Sequence, residues 1–231
     1  MEGIVLAGGR GTRLAGHLAG RPKPMADIGG RPFLALLLDL LASEGLQRII
    51  LSVGYLGETI RNHFHDSYHG LDLCYAVEDA PLGTGGAIKN ALRFATRSSA
   101  FVVNGDTYLK LDYRSMHAAH ADAAATFTMA VREVSDVSRY GAIVTDQAGI
   151  IQAFGEKRAT GRGLINTGTY LVDRKVFEPF DLPETFSVES DFLAVHLRAI
   201  QPVAFQTCGY FIDIGIPEDL ARARRELVDA P

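Results

Sequence analysis

The sequence predicts an α/β fold in which a mixed, mostly parallel sheet is flanked by helices. Three observations lead to this class: short apolar runs that end in glycine or acidic residues, helical stretches that alternate with these runs through the first half, and closely spaced strands in the second half. Alternating strands and helices are typical of a parallel sheet with helices on both faces. We therefore expect a Rossmann-like architecture with antiparallel additions in its second half.

The first half carries the alternation of strands and helices. Short apolar runs bounded by turn residues are typical of buried strands, and apolar residues at helical spacing are typical of helices. The predicted strands are residues 3–7, 48–53, 73–77 and 100–103. The predicted helices are residues 33–43, 59–64 and 85–96. Ligands of such sheets bind beyond the carboxyl ends of the strands, so the glycine and acidic clusters that follow these strands should meet at one edge.

The second half has shorter strands joined by tight turns. The strands predicted there are residues 124–134, 142–145, 150–154 and 168–172. The predicted helices are residues 191–200 and 217–227. No linker rich in proline, serine or glycine separates the halves, and no internal repeat is visible. We therefore expect one domain over residues 1–231.

Composition and charge exclude several classes of protein. Apolar residues make up 47% of the 231 residues and charged residues 22%, which excludes intrinsic disorder. The net charge of −4 argues against a nucleic-acid partner, and no apolar run approaches the ~20 residues that span a bilayer. The N-terminus carries no secretion signal, and Cys74 and Cys208 form no metal-binding pattern. We expect a cytoplasmic protein with reduced thiols and no membrane partner.

A glycine-rich loop follows the first predicted strand, over residues 6–14 (LAGGRGTRL). Glycines let the backbone approach a phosphate and point N–H groups at it, and Arg10, Thr12 and Arg13 add charge-assisted donors. Lys23, between two prolines, could reach the same anion. The loop lacks the P-loop pattern and the third glycine of the dinucleotide fingerprint. We expect a triphosphate site, with a strand-to-loop turn that exposes its arginines as the alternative.

A second glycine cluster and two acidic residues also follow predicted strands. Residues 78–87 (EDAPLGTGGA) open a helix, and the alternative to a ligand site there is a helix start with Thr84 as its N-cap. Asp106 and Asp213 each end a strand, where a lone aspartate is usually a turn residue. Two such carboxylates could share one Mg²⁺ bound to substrate phosphates. Gly105, beside Asp106, indicates close approach by a ligand.

The glycine-rich loop and the lysine motif together carry a family resemblance. Residues 8–14 (GGRGTRL), followed by residues 23–25 (KPM), resemble the signature of sugar-1-phosphate nucleotidylyltransferases, and the resemblance covers about residues 3–227. It implies the nucleotide-diphospho-sugar transferase fold, with a nucleotide-binding half over about residues 1–110 and a sugar-phosphate-binding half over about residues 111–231. It also implies transfer of a nucleotidyl group to a sugar 1-phosphate, release of pyrophosphate, and Mg²⁺ as cofactor.

The resemblance assigns roles to individual residues. Arg13 and Lys23 are the implied catalytic residues, which stabilise charge on the leaving pyrophosphate and on the reacting phosphates, and Asp106 and Asp213 are the implied metal ligands. The residues implied in nucleotide binding are Leu6, Ala7, Gly8, Gly9, Arg10, Gly11, Thr12, Glu78, Pro81, Gly83, Thr84 and Gly105. The residues implied in sugar-phosphate binding are Tyr140, Gly141, Glu156, Lys157, Asn166 and Thr167.

The chain departs from the family pattern in two places. Residues 158–163 form a basic segment where many relatives have a proline soon after the lysine, and this segment is interpreted as a mobile lid over the sugar phosphate. Ile216 stands where many relatives have a threonine, which removes one hydroxyl group near the implied metal.

The substrate prediction is guanylyl transfer from GTP. The motifs around Lys23, Thr84 and Asp106 resemble those of short guanylyltransferases that act on D-glycero-alpha-D-manno-heptose 1-phosphate for bacterial capsule or surface glycans. The Glu78 carboxylate suits guanine, which offers two neighbouring N–H donor groups where thymine and uracil offer one. Guanylyl transfer to mannose 1-phosphate is the second choice, and thymidylyl or uridylyl transfer to another hexose 1-phosphate is the third.

Two functions of other classes are the alternatives. A non-catalytic nucleotide-sugar sensor would be expected to lack the acids or the basic loop, yet Arg13, Lys23, Asp106 and Asp213 are all present. A nicotinamide-dependent oxidoreductase disagrees with the incomplete fingerprint and with the absence of a carboxylate ~20 residues after the loop. A homodimer is expected from the base rate among soluble enzymes.

Overall fold

A sheet of ten strands runs through the computed structural model, which describes residues 1–9, 14, 16, 18, 20–155 and 160–227. The strands are β1 (Glu2–Leu6), β2 (Asp27–Ile28), β3 (Arg31–Pro32), β4 (Arg48–Val53), β5 (Ser67–Tyr68), β6 (Leu71–Val77), β7 (Ser99–Asn104), β8 (Thr107–Leu109), β9 (Phe127–Val134), β10 (Ile143–Thr145), β11 (Ile151–Phe154), β12 (Gly163–Asp173), β13 (Val203–Thr207) and β14 (Phe211–Asp213). The helices are α1 (Phe33–Ser43), α2 (Gly57–Phe64), α3 (Gly83–Leu92), α4 (Tyr113–Asp122), α5 (Ala194–Ile200) and α6 (Pro217–Glu226). A 3₁₀ turn at Lys23–Met25 precedes β2, and a π-helix at Val188–Leu193 leads into α5.

Four parallel strands form the centre of the large sheet, in the order β7, β1, β4, β6. The sheet becomes antiparallel beyond β7, where Tyr170 of β12 lies opposite Val102. Strand β12 in turn pairs with β9 and β10, and β13 adds to β9. The structure thereby confirms the predicted α/β class, with its mixed sheet and its antiparallel additions.

Both faces of the parallel strands are buried, which explains their continuous apolar sequences. Side chains alternate between the two faces of a strand, so Val5 packs with residues of α1, α2 and α4 whereas Ile4 packs with residues of α3 and the π-helix. Both side chains are 0% exposed. Helices therefore cover the sheet on both sides, and the strand ends are left free to carry polar residues.

A smaller layer lies against α1 on the side away from the sheet. Strands β8 and β14 pair antiparallel there, with Asp213 opposite Thr107, and Ile212 packs with Phe33 of α1 and Leu220 of α6 in a separate apolar cluster. This layer brings the last part of the chain beside the strand end that bears Asp106. A backbone hydrogen bond of 2.9 Å from Ile214 N to the Asp106 carbonyl oxygen joins the two segments.

Several elements differ from their predicted bounds. Helix α1 and strand β4 have the predicted bounds, whereas β12 starts at Gly163 rather than residue 168 because it pairs with β9 along most of its length. Helix α4 was not predicted. Its buried residues Tyr113, Met116 and His120 have helical spacing, and the Asp112 side chain accepts a hydrogen bond from Ser115 N at 2.9 Å as an N-cap. This cap and this spacing are the sequence signals that could have identified the helix.

The C-terminal region also differs from the predictions. Strand β13 was not predicted, because its residues are only partly buried and its position depends on the distant β9. The helix predicted at residues 191–200 is divided between the π-helix and α5. Among the helices of the described residues, none has the length and apolar character needed to cross a bilayer.

Candidate active site

A cleft of about 730 Å³ opens at the carboxyl ends of the four central strands. Its walls come from the segments that follow β1, β4, β6 and β7, as expected for a sheet of this kind. The residues predicted for this site that line the cleft are Leu6, Ala7, Gly8, Gly9, Lys23, Glu78, Pro81, Gly83, Thr84 and Asp106. The two glycine clusters and one of the two acids therefore meet, although they are far apart in the sequence.

Several predicted site residues lie outside the described residues. Arg10, Gly11, Thr12 and Arg13 are among them on the nucleotide side, and Glu156 and Lys157 are among them on the sugar side. The segment 158–163, interpreted as a lid, is described only from residue 160 onward. The roles of these residues remain predictions.

Glu78 is held in a defined orientation at the floor of the cleft. Its Oε1 accepts a hydrogen bond from Ser52 Oγ at 2.9 Å, and its Oε2 accepts one from Leu82 N at 3.3 Å. A methyl group on Gly8 would come within 2.8 Å of Glu78 Oε1, so a larger residue at this position would displace the Glu78 carboxylate. Ser52 was not predicted as part of the site. It is buried at the end of β4, where it orients the carboxylate.

Lys23 lies between two carboxylates. Its ammonium group contacts Asp106 Oδ2 and lies 3.9 Å from Asp213 Oδ1. The lysine side chain is 15% exposed, compared with 31% and 33% for the two aspartates. Pro22 and Pro24 hold the short 3₁₀ turn that presents the lysine. The predicted metal ligands and the predicted catalytic lysine thus form one charged cluster.

The two carboxylates of this cluster influence each other. Burial raises the pKa of Asp213, the negative charge of Asp106 raises it further, and the Lys23 ammonium opposes both effects. The Asp213 side chain is also fixed by a hydrogen bond of 2.7 Å from Gly215 N to Oδ1. The cluster therefore holds two anionic groups close together in a partly desolvated place, and a cation stabilises both of them.

Gly105 is required by the protein itself rather than by a ligand alone. Its backbone N–H donates to the Leu6 carbonyl oxygen at 3.0 Å, and a methyl group on Gly105 would approach that oxygen to 2.7 Å. The end of β1 therefore makes a close approach to Gly105, and the approach by a ligand stays a prediction. The glycine brings the Asp106 loop against the glycine-rich loop.

The predicted sugar-phosphate residues lie on two segments. The Tyr140 ring packs edge-on against Phe211 of β14, with ring centres 5.9 Å apart, and burial raises the pKa of Tyr140. Gly141 follows it with φ of +85°. On β12, Asn166 Nδ2 donates to the Tyr170 hydroxyl at 2.7 Å, whereas the Thr167 hydroxyl is buried and donates to the Ala130 carbonyl oxygen at 2.8 Å. The Thr167 hydroxyl proton is therefore used within the protein, and the role of Thr167 in sugar-phosphate binding stays a prediction.

Thr84 does not act as the N-cap of α3. The residue before the helix is Leu82, which makes no capping hydrogen bond through its side chain. The Thr84 hydroxyl instead accepts from Val188 N at 2.9 Å and donates to Glu189 Oε2 at 3.1 Å. Glu189 was not predicted, because it lies 105 residues away from Thr84 and in no recognisable motif. The alternative interpretation of Thr84 as an N-cap is therefore wrong.

The cleft, with its glycine loops, its lysine and its paired acids, defines a class of protein. The chain belongs to the nucleotidyl transferase family, whose model matches residues 2–230. It is 41% identical over 227 residues to the D-glycero-alpha-D-manno-heptose 1-phosphate guanylyltransferase of Aneurinibacillus thermoaerophilus, with 98% of each chain covered. It is 32% identical over 232 residues to the mannose-1-phosphate guanylyltransferase of Mycobacterium tuberculosis, which covers 99% of this chain and 65% of that protein.

A solved structure of similar length supports the same grouping. The crystal structure of HddC from Yersinia pseudotuberculosis has 40% sequence identity and a TM-score of 0.87, and the match covers 98% of this chain and 99% of that chain. A second crystal structure of HddC, complexed with GMP-PN, matches with a TM-score of 0.86. These likenesses confirm the resemblance that the motifs indicated.

Proposed function

We propose that this chain transfers GMP from GTP to D-glycero-alpha-D-manno-heptose 1-phosphate, which yields GDP-heptose and pyrophosphate. The observation that carries the proposal is the convergence of Lys23, Asp106 and Asp213 beside the glycine-rich loop at the edge of the sheet. The cleft of about 730 Å³ has the size of a site for a nucleotide-sized ligand. The likeness to guanylyltransferases that act on this heptose phosphate supports the choice of substrates.

The reaction needs no nucleophile from the protein. A phosphate oxygen of the sugar 1-phosphate attacks the α-phosphorus of GTP, a new P–O bond forms, and the bond from the α-phosphorus to the bridging oxygen breaks. Pyrophosphate leaves with the electron pair of that bond. The main barrier is the approach of two anions, so the protein contributes positioning and charge stabilisation.

The charged groups of the cleft suit that task. Lys23 would stabilise negative charge on the reacting phosphates once substrate is bound, because its side chain lines the cleft and is only 15% exposed. Arg13 is proposed to stabilise the leaving pyrophosphate, on the strength of the motif. Backbone N–H groups of the loop that contains Gly8 and Gly9 would cradle the phosphates.

The paired acids fit a divalent cation. Magnesium prefers oxygen ligands and is usually held by one or two carboxylates together with substrate phosphates, and Asp106 and Asp213 converge on one positive group. Within the described ranges, no cluster of three or more His, Cys, Asp or Glu side chains forms a metal site of its own. The proposed ligands are these two carboxylates and the phosphates of the two substrates. When bound, Mg²⁺ would neutralise charge on those phosphates.

We propose that the nucleobase and the sugar bind at different sides of the cleft. Glu78 is oriented by Ser52 and Leu82, and its carboxylate would accept the two N–H donor groups of guanine. The residues proposed to bind the sugar phosphate are Tyr140, Gly141, Glu156, Lys157 and Asn166.

We also propose that residues 1–231 act as one domain, since strands from both halves join one sheet. A cytoplasmic location and a homodimer remain predictions.

The test is pyrophosphate release with Mg²⁺, measured for GTP, dTTP, UTP, CTP and ATP against heptose, mannose and glucose 1-phosphates. We expect release with GTP and the heptose phosphate. Release with GTP and mannose 1-phosphate would favour the second candidate, which the 32% identical relative supports. If the folded protein binds a nucleotide-sugar but releases no pyrophosphate with any substrate pair, the result would favour a non-catalytic nucleotide-sugar sensor over an enzyme.

A further inference from the structure

A chain of side-chain hydrogen bonds joins the nucleotide side of the cleft to the sugar side through Glu189. The Asn166 amide nitrogen donates to the Tyr170 hydroxyl at 2.7 Å, and that hydroxyl donates to Glu189 Oε1 at 2.8 Å. The other carboxylate oxygen, Oε2, accepts from Thr84 Oγ1 at 3.1 Å. Thr84 lines the cleft at the first turn of α3, whereas Asn166 lies on β12. The Glu189 carboxylate is therefore hydrogen-bonded to Thr84, proposed for the nucleotide, and through Tyr170 to Asn166, proposed for the sugar.

The negative charge of Glu189 sets the direction of these hydrogen bonds. A carboxylate only accepts, so the Tyr170 hydroxyl must donate to it and keeps a lone pair for the Asn166 amide. The Asn166 oxygen, Oδ1, accepts at the same time from Gly168 N at 2.8 Å. The amide of Asn166 consequently has one fixed orientation. Tyr170 is fully buried, and burial together with the Glu189 charge raises its pKa, so the hydroxyl stays protonated and remains a donor.

The Thr84 hydroxyl is fixed in the same way. It accepts from Val188 N at 2.9 Å while it donates to Glu189. The Phe186 carbonyl oxygen accepts from Gly85 N at 2.9 Å, which docks the first turn of α3 on the segment that carries Glu189. Ser187 Oγ donates to the same carboxylate oxygen at 3.1 Å. The position of the helix start therefore depends on Glu189 and its neighbours.

We propose that Glu189 is a positioning residue that orients Asn166 for the sugar 1-phosphate and Thr84 for the nucleotide. The inference rests on the proposed function, because it assigns the two ends of the network to the two substrates of that reaction. Glu189 itself touches neither substrate in this proposal, and it acts only through Tyr170 and Thr84. Replacing it should therefore change how both substrates bind, whereas breaking one arm should change only one.

Three variants separate the two arms of the network, with KM measured for each substrate while the other is saturating. Tyr170→Phe should raise KM for the sugar 1-phosphate by about tenfold and leave KM for GTP unchanged, since one hydrogen bond to a charged group is lost. Thr84→Val should have the opposite effect, and Thr84→Ser should restore the wild-type KM for GTP. Glu189→Gln should raise both KM values, because the Gln amide nitrogen cannot accept a hydrogen bond.

The control variant is Glu184→Gln, which neutralises an exposed carboxylate five residues away along the same segment. It should leave both KM values within twofold of the wild type. Unchanged KM values in Glu189→Gln, or equal rises for both substrates in each of Tyr170→Phe and Thr84→Val, would overturn the inference. If Glu189→Gln loses its far-UV circular dichroism signal and is therefore unfolded, the inference is tested by Tyr170→Phe and Thr84→Val. Each of these should raise KM for a different substrate.

GTP binding measured by calorimetry gives a readout that does not depend on turnover. Thr84→Val and Glu189→Gln should weaken GTP binding by about tenfold, whereas Tyr170→Phe should not change it. A wild-type protein that releases no pyrophosphate with any substrate pair would refute the proposed function, and the binding series would then decide the inference by itself. Equal GTP affinity in all three variants would overturn it.

Discussion

The guanidinium of Arg139 donates a hydrogen bond of 2.6 Å to the carboxylate of Asp219, in the first turn of α6. The Asp219 side chain is only 8% exposed, and the Arg139 guanidinium carbon also lies 5.2 Å from the centre of the Tyr140 ring. The ion pair therefore fastens the loop that bears Tyr140 to the corner that follows Asp213. This contact therefore fixes the relative position of two segments, one proposed to bind the sugar and one proposed to bind the metal.

The first prediction concerns this ion pair. We expect Arg139→Gln to raise KM for the sugar 1-phosphate about tenfold, which corresponds to ~1.4 kcal/mol, and to leave KM for GTP unchanged. The reason is that Tyr140 loses its anchor to α6 while the nucleotide loops keep theirs. Steady-state kinetics with each substrate varied in turn would measure this. Asp219→Asn should raise the same KM by a similar factor, and the double variant should raise it no further. Additive effects of the two substitutions would show that Arg139 and Asp219 do not act as a pair.

The second prediction concerns the paired acids. We expect Asp213→Ala to lower the rate of pyrophosphate release ~10²-fold or more, because it removes one of the two carboxylates proposed to hold the metal beside the reacting phosphates. Arg13→Ala should cause a loss of the same order by removing charge stabilisation from the leaving pyrophosphate. Turnover assays at saturating GTP would measure both. Asp122→Ala, at an exposed position at the end of α4, is the matched control, and near-normal turnover in Asp213→Ala would refute the role of that carboxylate.

The third prediction concerns Glu2, a buried carboxylate far from the cleft. Its side chain is 2% exposed and accepts hydrogen bonds from Arg97 N at 2.6 Å and Thr96 N at 2.9 Å, with Arg48 Nη1 at 3.4 Å. Glu2→Ala should lower the free energy of unfolding by about 3 kcal/mol, because it removes a buried, charged acceptor together with its hydrogen bonds to Thr96 and Arg97. Urea denaturation would measure the change.

The matched control for Glu2 is the other acidic partner of the same arginine. Asp72 Oδ2 accepts from Arg48 Nε at 2.9 Å, but its side chain is 65% exposed. Surface ion pairs contribute little to stability, so Asp72→Asn should lower the free energy of unfolding by less than ~1 kcal/mol. Equal losses in the two variants would show that burial is not the cause.

The fourth prediction concerns the effect of pH on stability through His120. Burial lowers the pKa of this histidine, while its hydrogen bond to Asp173 opposes the shift. The unfolded chain therefore binds a proton at a higher pH than the folded chain, and the stability that neutral His120 contributes is complete above pH 6.5, the ordinary value, and is lost as the pH falls below it. His120→Gln keeps a donor for Thr128 or Asp173 but cannot titrate in this range.

Thermal or urea unfolding between pH 7.5 and pH 5 would test this expectation. The wild type should lose stability faster than His120→Gln as the pH falls below about 6.5. Parallel curves for the two proteins would mean that His120 does not contribute to the acid sensitivity of the fold.

Much of the fold and of the site was predictable because the signals are local. Strands β1, β4 and β7 have uninterrupted apolar sequences between turn residues, and α1 has its predicted bounds at Phe33–Ser43. Gly8, Gly9 and Glu78 could be assigned to one cleft, since strand ends of a parallel sheet meet at one edge. Strand β13 and the π-helix were missed because their form depends on distant partners.

The sequence by itself determined the α/β class, the family and the kinds of residues that line the cleft, because hydrophobic periodicity and glycine loops depend on neighbouring residues. The tertiary structure alone decided which side chains meet. Lys23 contacts Asp106 across 83 positions, and Thr84 contacts Glu189 across 105. Such contacts depend on how strands and helices pack in three dimensions. That packing also explains why residue 105 is a glycine, because the Leu6 carbonyl oxygen approaches it closely.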